Sequence, residues 1–267
     1  MISFAPCKIN IGLKVLNKRK DGYHNIESYL YPVPLYDILE ITLSNSDELI
    51  QTGVISTVKM EDNLVYKAII LLRKEVQFPP VKIHLHKQIP IQAGLGGGSS
   101  NAMTTLKLII AFFSLPVSSD LLMKLALKLG SDCPFFINSN VAKVEGRGEE
   151  ITPLEFSLKG KYIMLVKPSF SIDTSDAFLN FKNNDEKALP HIPNLEFNKW
   201  QKYIYNDFEI NLEKKHQEIK IIKTRLLEQG AFYASLSGSG STVFGIFHSE
   251  KIIKFNPSYF TWFGALQ

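Results

Sequence analysis

The segment Pro90-Ile91-Gln92-Ala93-Gly94-Leu95-Gly96-Gly97-Gly98-Ser99-Ser100-Asn101 concentrates more chemistry than any other part of the chain. Four glycines fall within five residues, two hydroxyls follow, and an apolar pattern of helical spacing begins directly after them. A side-chain-free loop at a helix N-terminus leaves backbone N–H groups without intrahelical partners. It also adds the positive end of the helix dipole and has no Cβ to hold a phosphate away. Hydroxyls at the helix mouth can bond phosphate oxygens or a metal ion, so the pattern predicts a phosphate-binding loop. It is not of the Walker type, because the loop closes Gly98-Ser99-Ser100-Asn101 with no lysine. The dinucleotide fingerprint needs an acidic residue roughly 20 residues on. Asp120 falls near that distance, but it lies after Pro116 at an expected helix start.

The elements around the loop can be read from periodicity. Residues 81–85 alternate as a strand and deliver the chain to Pro90. After the loop, Ala102, Met103, Leu106, Ile109, Ile110 and Phe113 share one helix face. Leu108 and Phe112 lie off it, so this helix is expected to be buried nearly all round. An earlier helix carries Leu64, Val65, Ala68, Ile69 and Leu72, with Asp62 as its expected N-cap. Ser118 or Ser119 caps a further helix with Leu121, Leu122, Leu125 and Leu129, which Gly130 ends. Ser131 and Asp132 follow at once. A carboxylate just past a helix C-terminus is where the dipole disfavours its charge, which favours a functional role for Asp132.

The opening third reads as strands at 8–16, 26–33 and 38–43, with a turn at Asp21-Gly22. Residues 143–151 form a hairpin turning at Gly146-Arg147-Gly148, and the pattern breaks around 153–161. A lobe boundary there gives lobes 1–157 and 158–267. The second lobe holds a buried strand at 162–166, a helix near 174–181, a polar loop at 182–198, a helical stretch at 210–229, and strands flanking Ser237-Gly238-Ser239-Gly240-Ser241. Helices alternating with antiparallel-looking strands indicate the α+β class.

Bulk properties narrow the function classes. The chain has 267 residues, 45% hydrophobic and 21% charged, enough for packed cores and against disorder. A net charge of +4 attracts phosphorylated substrates but does not indicate nucleic acid, and the one tight basic run, Lys18-Arg19-Lys20, leads into a turn. Two cysteines indicate a reducing compartment. Residues 1–6 carry no signal-peptide pattern, and the most apolar run, 106–115, is far below the roughly 20 residues of a membrane span. A cytoplasmic protein without membrane or nucleic-acid partners is expected. His84 and His86 share a strand face without a third ligand, so a solvated face is expected there, not a metal site. Cys7 and Cys133 adjoin candidate functional residues, and either thiol is a candidate for protection by ligands from alkylation.

The glycine loop resembles the nucleotide loop of the GHMP kinases. Four further segments carry the same resemblance: Pro6-Cys7-Lys8-Ile9-Asn10, Lys20-Asp21-Gly22-Tyr23-His24, Gly130-Ser131-Asp132-Cys133-Pro134-Phe135-Phe136, and Leu236-Ser237-Gly238-Ser239-Gly240-Ser241. Together they reach from about residue 3 to about residue 247. Asp21-Gly22-Tyr23-His24 so soon after Lys8-Ile9-Asn10 resembles the branch whose acceptor is a CDP-linked methylerythritol, in non-mevalonate isoprenoid precursor synthesis.

The resemblance implies a two-lobed GHMP kinase fold, with an S5-like N-terminal lobe, a ferredoxin-like C-terminal lobe and the active site between them. It implies ATP with Mg²⁺, phosphorylation of the acceptor's 2-hydroxyl, and a monomer or weak homodimer. Lys8 and Asp132 take the catalytic roles. Pro90, Ala93, Gly94, Leu95, Gly96, Gly97, Gly98, Ser99 and Ser100 hold ATP, with Asn63 near its adenine. Tyr23 and His24 hold the cytosine, Phe178 adds a second stacking ring, Thr174 a polar contact, and Asn10 holds the erythritol or phosphate part. For Phe178 a core role stays open. Ser237, Gly238, Ser239 and Gly240 form either a second phosphate-side wall or a tight crossing where only glycine fits. Two departures stand out: Gln92 occupies a position where glycine is frequent, and no residue identifies itself as the Mg²⁺ ligand, leaving Ser99, Ser100 and ATP oxygens. Alternatives are another GHMP kinase or decarboxylase with a different alcohol, and a nucleotide sensor without catalysis. The presence of both Lys8 and Asp132 argues against the sensor.

Overall fold

In the computed structural model, which describes residues 1–20, 22–54, 58–179, 181 and 188–267, the chain runs through ten strands and seven α-helices among those residues. In order they are β1 (Ile2–Lys18), β2 (His24–Leu43), β3 (Glu48–Gly53), α1 (Leu64–Arg73), β4 (Val81–Lys87), α2 (Gly97–Phe113), α3 (Ser119–Leu129), β5 (Ala142–Glu145), β6 (Glu150–Pro153), β7 (Tyr162–Lys167), α4 (Thr174–Leu179), α5 (Phe197–Tyr203), α6 (Glu209–Lys215), α7 (Gln217–Glu228), β8 (Tyr233–Leu236), β9 (Val243–Phe247) and β10 (Phe260–Ala265). They fall into two compact units that interleave along the chain. One comprises residues 1–7, 35–91 and 96–140, the other 8–34, 92–95 and 141–267.

The first unit contains the start of β1, the end of β2, and β3, β4 and α1–α3. β4 pairs antiparallel with β2, Ile38 opposite His86 through Leu43 opposite Val81. On its other side β4 pairs parallel with β3, Glu48 opposite Lys82 through Gly53 opposite Lys87. The segment β3-α1-β4 is therefore a parallel crossover, a feature the antiparallel-looking pattern did not suggest. Alternate residues of β4 are buried, Val81, Ile83, Leu85 and Lys87, and their neighbours face outward. On α1, Val65, Ala68, Ile69 and Leu72 are buried at the expected spacing. The N-cap is Asn63, whose Oδ1 accepts from Val65 N at 3.0 Å, and not Asp62, which closes a preceding 3₁₀ turn. Ser118 caps α3 by accepting from Leu121 N at 3.2 Å, and Gly130 ends it. α2 buries Leu108 along with Ala102, Met103, Leu106 and Ile109, leaves Ile110, Phe112 and Phe113 half-buried, and exposes Lys107 and Ala111.

The second unit is built on a four-stranded antiparallel sheet in the order β10-β7-β9-β8. Counted from β7 this is the 4-1-3-2 order of a ferredoxin-like sheet, with α4–α7 in the first crossover. The second crossover, residues 248–259, carries no helix. α7 packs on the sheet through Ile219, Ile222 and Leu226, and a Cβ on Gly245 of β9 would stand 3.2 Å from Leu226. The first half of β2 pairs with β5, Ser28 opposite Val144 through Leu30 opposite Ala142, and β5 with β6 forms the expected hairpin.

Several boundaries differ from the sequence reading. The strands read at 26–33 and 38–43 are one strand, β2. Pro32 and Pro34 lie between the stretch paired with β5 and the stretch paired with β4, so their missing N–H groups cost neither of those ladders a bond. The helical stretch at 210–229 is broken at His216, which leaves helical geometry (φ −134°, ψ 89°) and stacks on Phe170 at 4.4 Å. Part of the polar loop read at 182–198 lies outside the described residues, as does Asp21 of the β1–β2 turn. The loop's end is already α5, anchored by fully buried Trp200.

Candidate active site

In the first unit, the glycine loop hands over to α2 through Gly96, whose left-handed backbone (φ 68°, ψ 15°) a side chain would strain. Gly96 is the N-cap and supplies no side-chain cap, the first turn holds no acidic residue, and Ser100 N closes the turn on Gly96 O at 2.9 Å. The helix end therefore presents N–H groups that no side chain of its own satisfies. Ser100 Oγ is fully buried and has no hydrogen-bond partner among the described residues. An orphaned buried hydroxyl costs free energy unless a ligand oxygen or water meets it.

Asp132 sits in the turn that follows α3. Gly130 N donates to Ala126 O at 3.2 Å to end the helix, and Cys133 N donates back to Gly130 O at 3.1 Å. The Cys133 thiol reaches Ser99 O at 3.9 Å, which ties the Asp132 turn to the first turn of α2. Burial pushes that thiol up to about 12, the nearby Asp132 charge adds to the rise, and the Ser99 contact opposes it. Cys7 and Cys133 are both buried, which argues against either thiol being open to alkylation. His84 Nε2 and His86 Nδ1 share the Thr52 hydroxyl, at 2.9 and 3.0 Å, on the outward face of β4. Among the described residues no group of three or more His, Cys, Asp or Glu side chains could hold a metal ion.

In the second unit a polar cluster gathers around buried Lys8 and Asn10 on β1. Lys8 Nζ donates to Asn10 Oδ1 at 2.6 Å, Asn10 Nδ2 donates to Ser28 Oγ at 2.9 Å, and Ser28 Oγ donates to Gly12 O at 2.6 Å. This relay fixes which end of the Asn10 amide faces the ammonium. Lys8 N donates to Leu95 O at 2.9 Å, and Ser237 Oγ donates to Gly94 O at 2.9 Å. A Cβ on Gly94 would stand 2.0 Å from Ser237 O, so the two small-residue loops touch backbone to backbone. A Cβ on Gly238 would lie 3.5 Å from Lys8 Nζ and 3.3 Å from Asn10 Oδ1. Lys8, Asn10, Gly94 and Gly238 thus converge.

The residues expected to hold the acceptor are placed as follows. Tyr23 is half exposed beneath the Arg147 guanidinium, which lies 4.7 Å from its ring centre. His24 stacks on Phe178 with ring centres 5.0 Å apart and 14° between planes. Phe178 also meets Phe208 edge-on at 4.9 Å and packs, partly buried, against the core of this unit, which is the core role left open above. Thr174 Oγ1 is 3.0 Å from Ser239 Oγ.

Several residues here were missed in the sequence. Asn206 Nδ2 donates to Leu236 O at 2.9 Å and Gly238 O at 2.8 Å, and Glu209 Oε1 accepts from Leu236 N at 2.6 Å, so both hold the second loop. Asp37, Lys87 and Asn101 form a buried cluster beside the glycine loop.

Comparison with known proteins decides the family. Models for the GHMP kinases N terminal domain and GHMP kinases C terminal match residues 63–140 and 188–260. A 4-diphosphocytidyl-2-C-methyl-D-erythritol kinase of Parabacteroides distasonis is 42% identical over 270 residues, covering 100% of both chains. The protein so named in Porphyromonas gingivalis is 44% identical over 255 residues, 94% of this chain and 93% of that one. The chain belongs to the 4-diphosphocytidyl-2-C-methyl-D-erythritol kinase family of the GHMP kinases. A crystal structure of a 4-(cytidine 5'-diphospho)-2C-methyl-D-erythritol kinase matches it with a TM-score of 0.78 at 31% identity, over 92% of this chain and 89% of that one. Mevalonate kinase of Methanococcus jannaschii shares the GHMP fold (TM-score 0.67, 17% identity, 92% and 90% coverage). GHMP kinases use ATP as phosphate donor.

Proposed function

We propose that this protein transfers the γ-phosphoryl group of ATP to the 2-hydroxyl of 4-diphosphocytidyl-2-C-methyl-D-erythritol, a step of non-mevalonate isoprenoid precursor synthesis in the cytoplasm. The observation that carries the phosphoryl chemistry is the uncapped start of α2, with Ser100 Oγ buried beside it and unpartnered. The choice of acceptor is supported by identity of 42–44% with proteins of that name over nearly the whole chain.

Phosphoryl transfer demands positioning and charge stabilisation more than covalent help from the protein. The N–H groups of residues 94–98 and the Ser99 and Ser100 hydroxyls cradle the β- and γ-phosphates. Lys8, oriented by Asn10 and Ser28, supplies positive charge to the group in transfer. Asp132 accepts the proton of the acceptor 2-hydroxyl as its oxygen bonds to Pγ and the bond from Pγ to the ADP oxygen breaks. Mg²⁺ suits hydroxyl and phosphate oxygens, so Ser99 and Ser100 would hold it together with ATP, where it neutralises phosphate charge. Asn63 lines the adenine end. Tyr23, His24 and Phe178 receive the cytosine, Thr174 adds a polar contact to the acceptor, Asn10 holds its erythritol or phosphate part, and the Ser237–Gly240 segment forms a second phosphate-side wall. We divide the lobes at 157/158.

The test is ADP release by purified protein with ATP and Mg²⁺, comparing 4-diphosphocytidyl-2-C-methyl-D-erythritol with mevalonate and homoserine. Turnover confined to the CDP-linked alcohol is expected. Turnover on either other alcohol, with none on the first, would overturn the choice of acceptor.

A further inference from the structure

Asp37 lies on the inward phase of β2 with Leu35, Leu39 and Ile41, and is fully buried. Its carboxylate collects four donors. Oδ1 accepts from Gln88 N at 2.7 Å and Ile89 N at 2.8 Å, while Oδ2 accepts from Lys87 Nζ at 2.7 Å and Asn101 Nδ2 at 2.9 Å. Lys87 Nζ donates in addition to Asn101 Oδ1 at 3.1 Å. All of these groups belong to the first compact unit. Residues 87–89 bring the chain into the glycine loop, and Asn101 lies one turn into α2, where the loop has ended. One carboxylate therefore ties the entry of the loop to its exit.

We propose that Asp37 and Asn101 are positioning residues that set nucleotide affinity by clamping the two ends of the phosphate loop. The inference rests on the reading of that loop as the ATP phosphate site. A buried ion pair is a poor device for stability alone, because desolvating two charges consumes most of what their attraction returns. Its value here is geometric. Loop N–H groups bind phosphate well only if they are already aimed, and the aim of α2's first turn depends on where that turn sits relative to the end of β4. Asp37 fixes that relation through two backbone N–H groups on one side and one side-chain amide on the other. Lys87 neutralises the carboxylate, so the clamp places no net charge beside the anion it serves.

The experiment measures ATP binding by calorimetry without acceptor, and separately the KM values for ATP and for acceptor, in wild type, Asn101→Ala and Asp37→Asn. Asn101→Ala removes the exit tether and leaves the Lys87–Asp37 pair in place. The expected result is at least a tenfold rise in the Kd and KM for ATP, with the acceptor KM within twofold of wild type. Asp37→Asn has the larger effect wherever it folds, and Asn101→Ala decides alone where it does not. A purely structural role would lower Tm and leave the Kd of the folded protein unchanged, and that result overturns the clamp. Wild type that fails to bind ATP would overturn the loop reading and the clamp with it. Wild type that binds ATP no better than folded Asn101→Ala overturns the clamp alone.

Discussion

Ser100 and Asp132 flank one helix end but make different demands on it, and substitution separates them. Ser100 Oγ is buried without a partner, so Ser100→Ala removes a destabilising group along with a ligand contact. Its stability should match or exceed wild type, with any gain within about 1 kcal/mol, while the KM for ATP rises; a melting curve beside a KM titration checks both. Asp132→Asn should lower kcat by about 10²–10⁴ with ATP affinity retained, since the amide keeps the shape and loses the base. Tyr23→Ala should raise the KM for the acceptor far more than that for ATP, and equal rises would point to a folding defect. At this scale the glycine loop was legible from residue type, glycines and hydroxyls at a helix mouth, whereas Lys8 and Asp132 were singled out through the family resemblance. The clamp had a fainter signal. Asp37 falls in phase with Leu35, Leu39 and Ile41, and Lys87 in phase with Val81, Ile83 and Leu85, so both charges sit on inward faces. That phase says each is buried, but not that they meet. Glu209 lies on the inward face of α6 with Leu212 and Asn206 has no such phase, and in neither case does the sequence say that what they hold is the backbone of a loop distant in sequence.

Among the elements, the glycine loop constrains its neighbours through backbone contact. Gly94→Ala would set a Cβ 2.0 Å from Ser237 O at φ 72°, and neither backbone can yield without moving a loop. Gly160→Ala, also at positive φ (80°) but with nothing within 4 Å among the described residues, should cost only about 1–2 kcal/mol. Chemical denaturation of both variants should show the Gly94 substitution as much the worse, with its turnover abolished. Asn63→Ala should cost about 1 kcal/mol through loss of the α1 cap. Helices with a continuous apolar stripe were readable, as α1, α2 and α3 were, within a residue or so at their caps. The break at His216 was not, because the apolar spacing runs through it, and the ring of His216 stacks on Phe170, a partner distant in sequence. β3 and β10 were missed for a related reason. β3 is six residues with both faces partly wet, and it becomes a strand only by lying parallel to β4.

For the whole molecule, alkaline pH is the informative variable. Burial raises the Cys133 thiol from 9.0 to about 12 and raises the Tyr233 hydroxyl above its ordinary 10.0. Between those limits the unfolded chain ionises both groups while the folded protein keeps its protons, so the contribution of these two groups to stability is full below about pH 9 and is lost as pH rises. The slope contributed by one such group is about 1.4 kcal/mol per pH unit. A series of melting curves from pH 8 to pH 11 should show Tm falling from pH 9 upward, with Cys133→Ala flattening the first part of the decline. No helix among the described residues is long and apolar enough to cross a membrane. The class of the fold was readable from alternating element types. The 4-1-3-2 strand order was not readable from periodicity and followed from the family resemblance alone, because pairing order depends on contacts between residues far apart in sequence. The measurement that tests the central claim most directly is phosphorus NMR of the product formed from ATP and 4-diphosphocytidyl-2-C-methyl-D-erythritol. The 2-carbon of that alcohol bears a methyl group and no hydrogen. The account predicts a new phosphomonoester signal without three-bond coupling to a proton, formed by wild type and accumulating about 10²-fold or more slowly with Asp132→Asn. A proton-coupled phosphomonoester, or no new signal while ATP still binds, would contradict it.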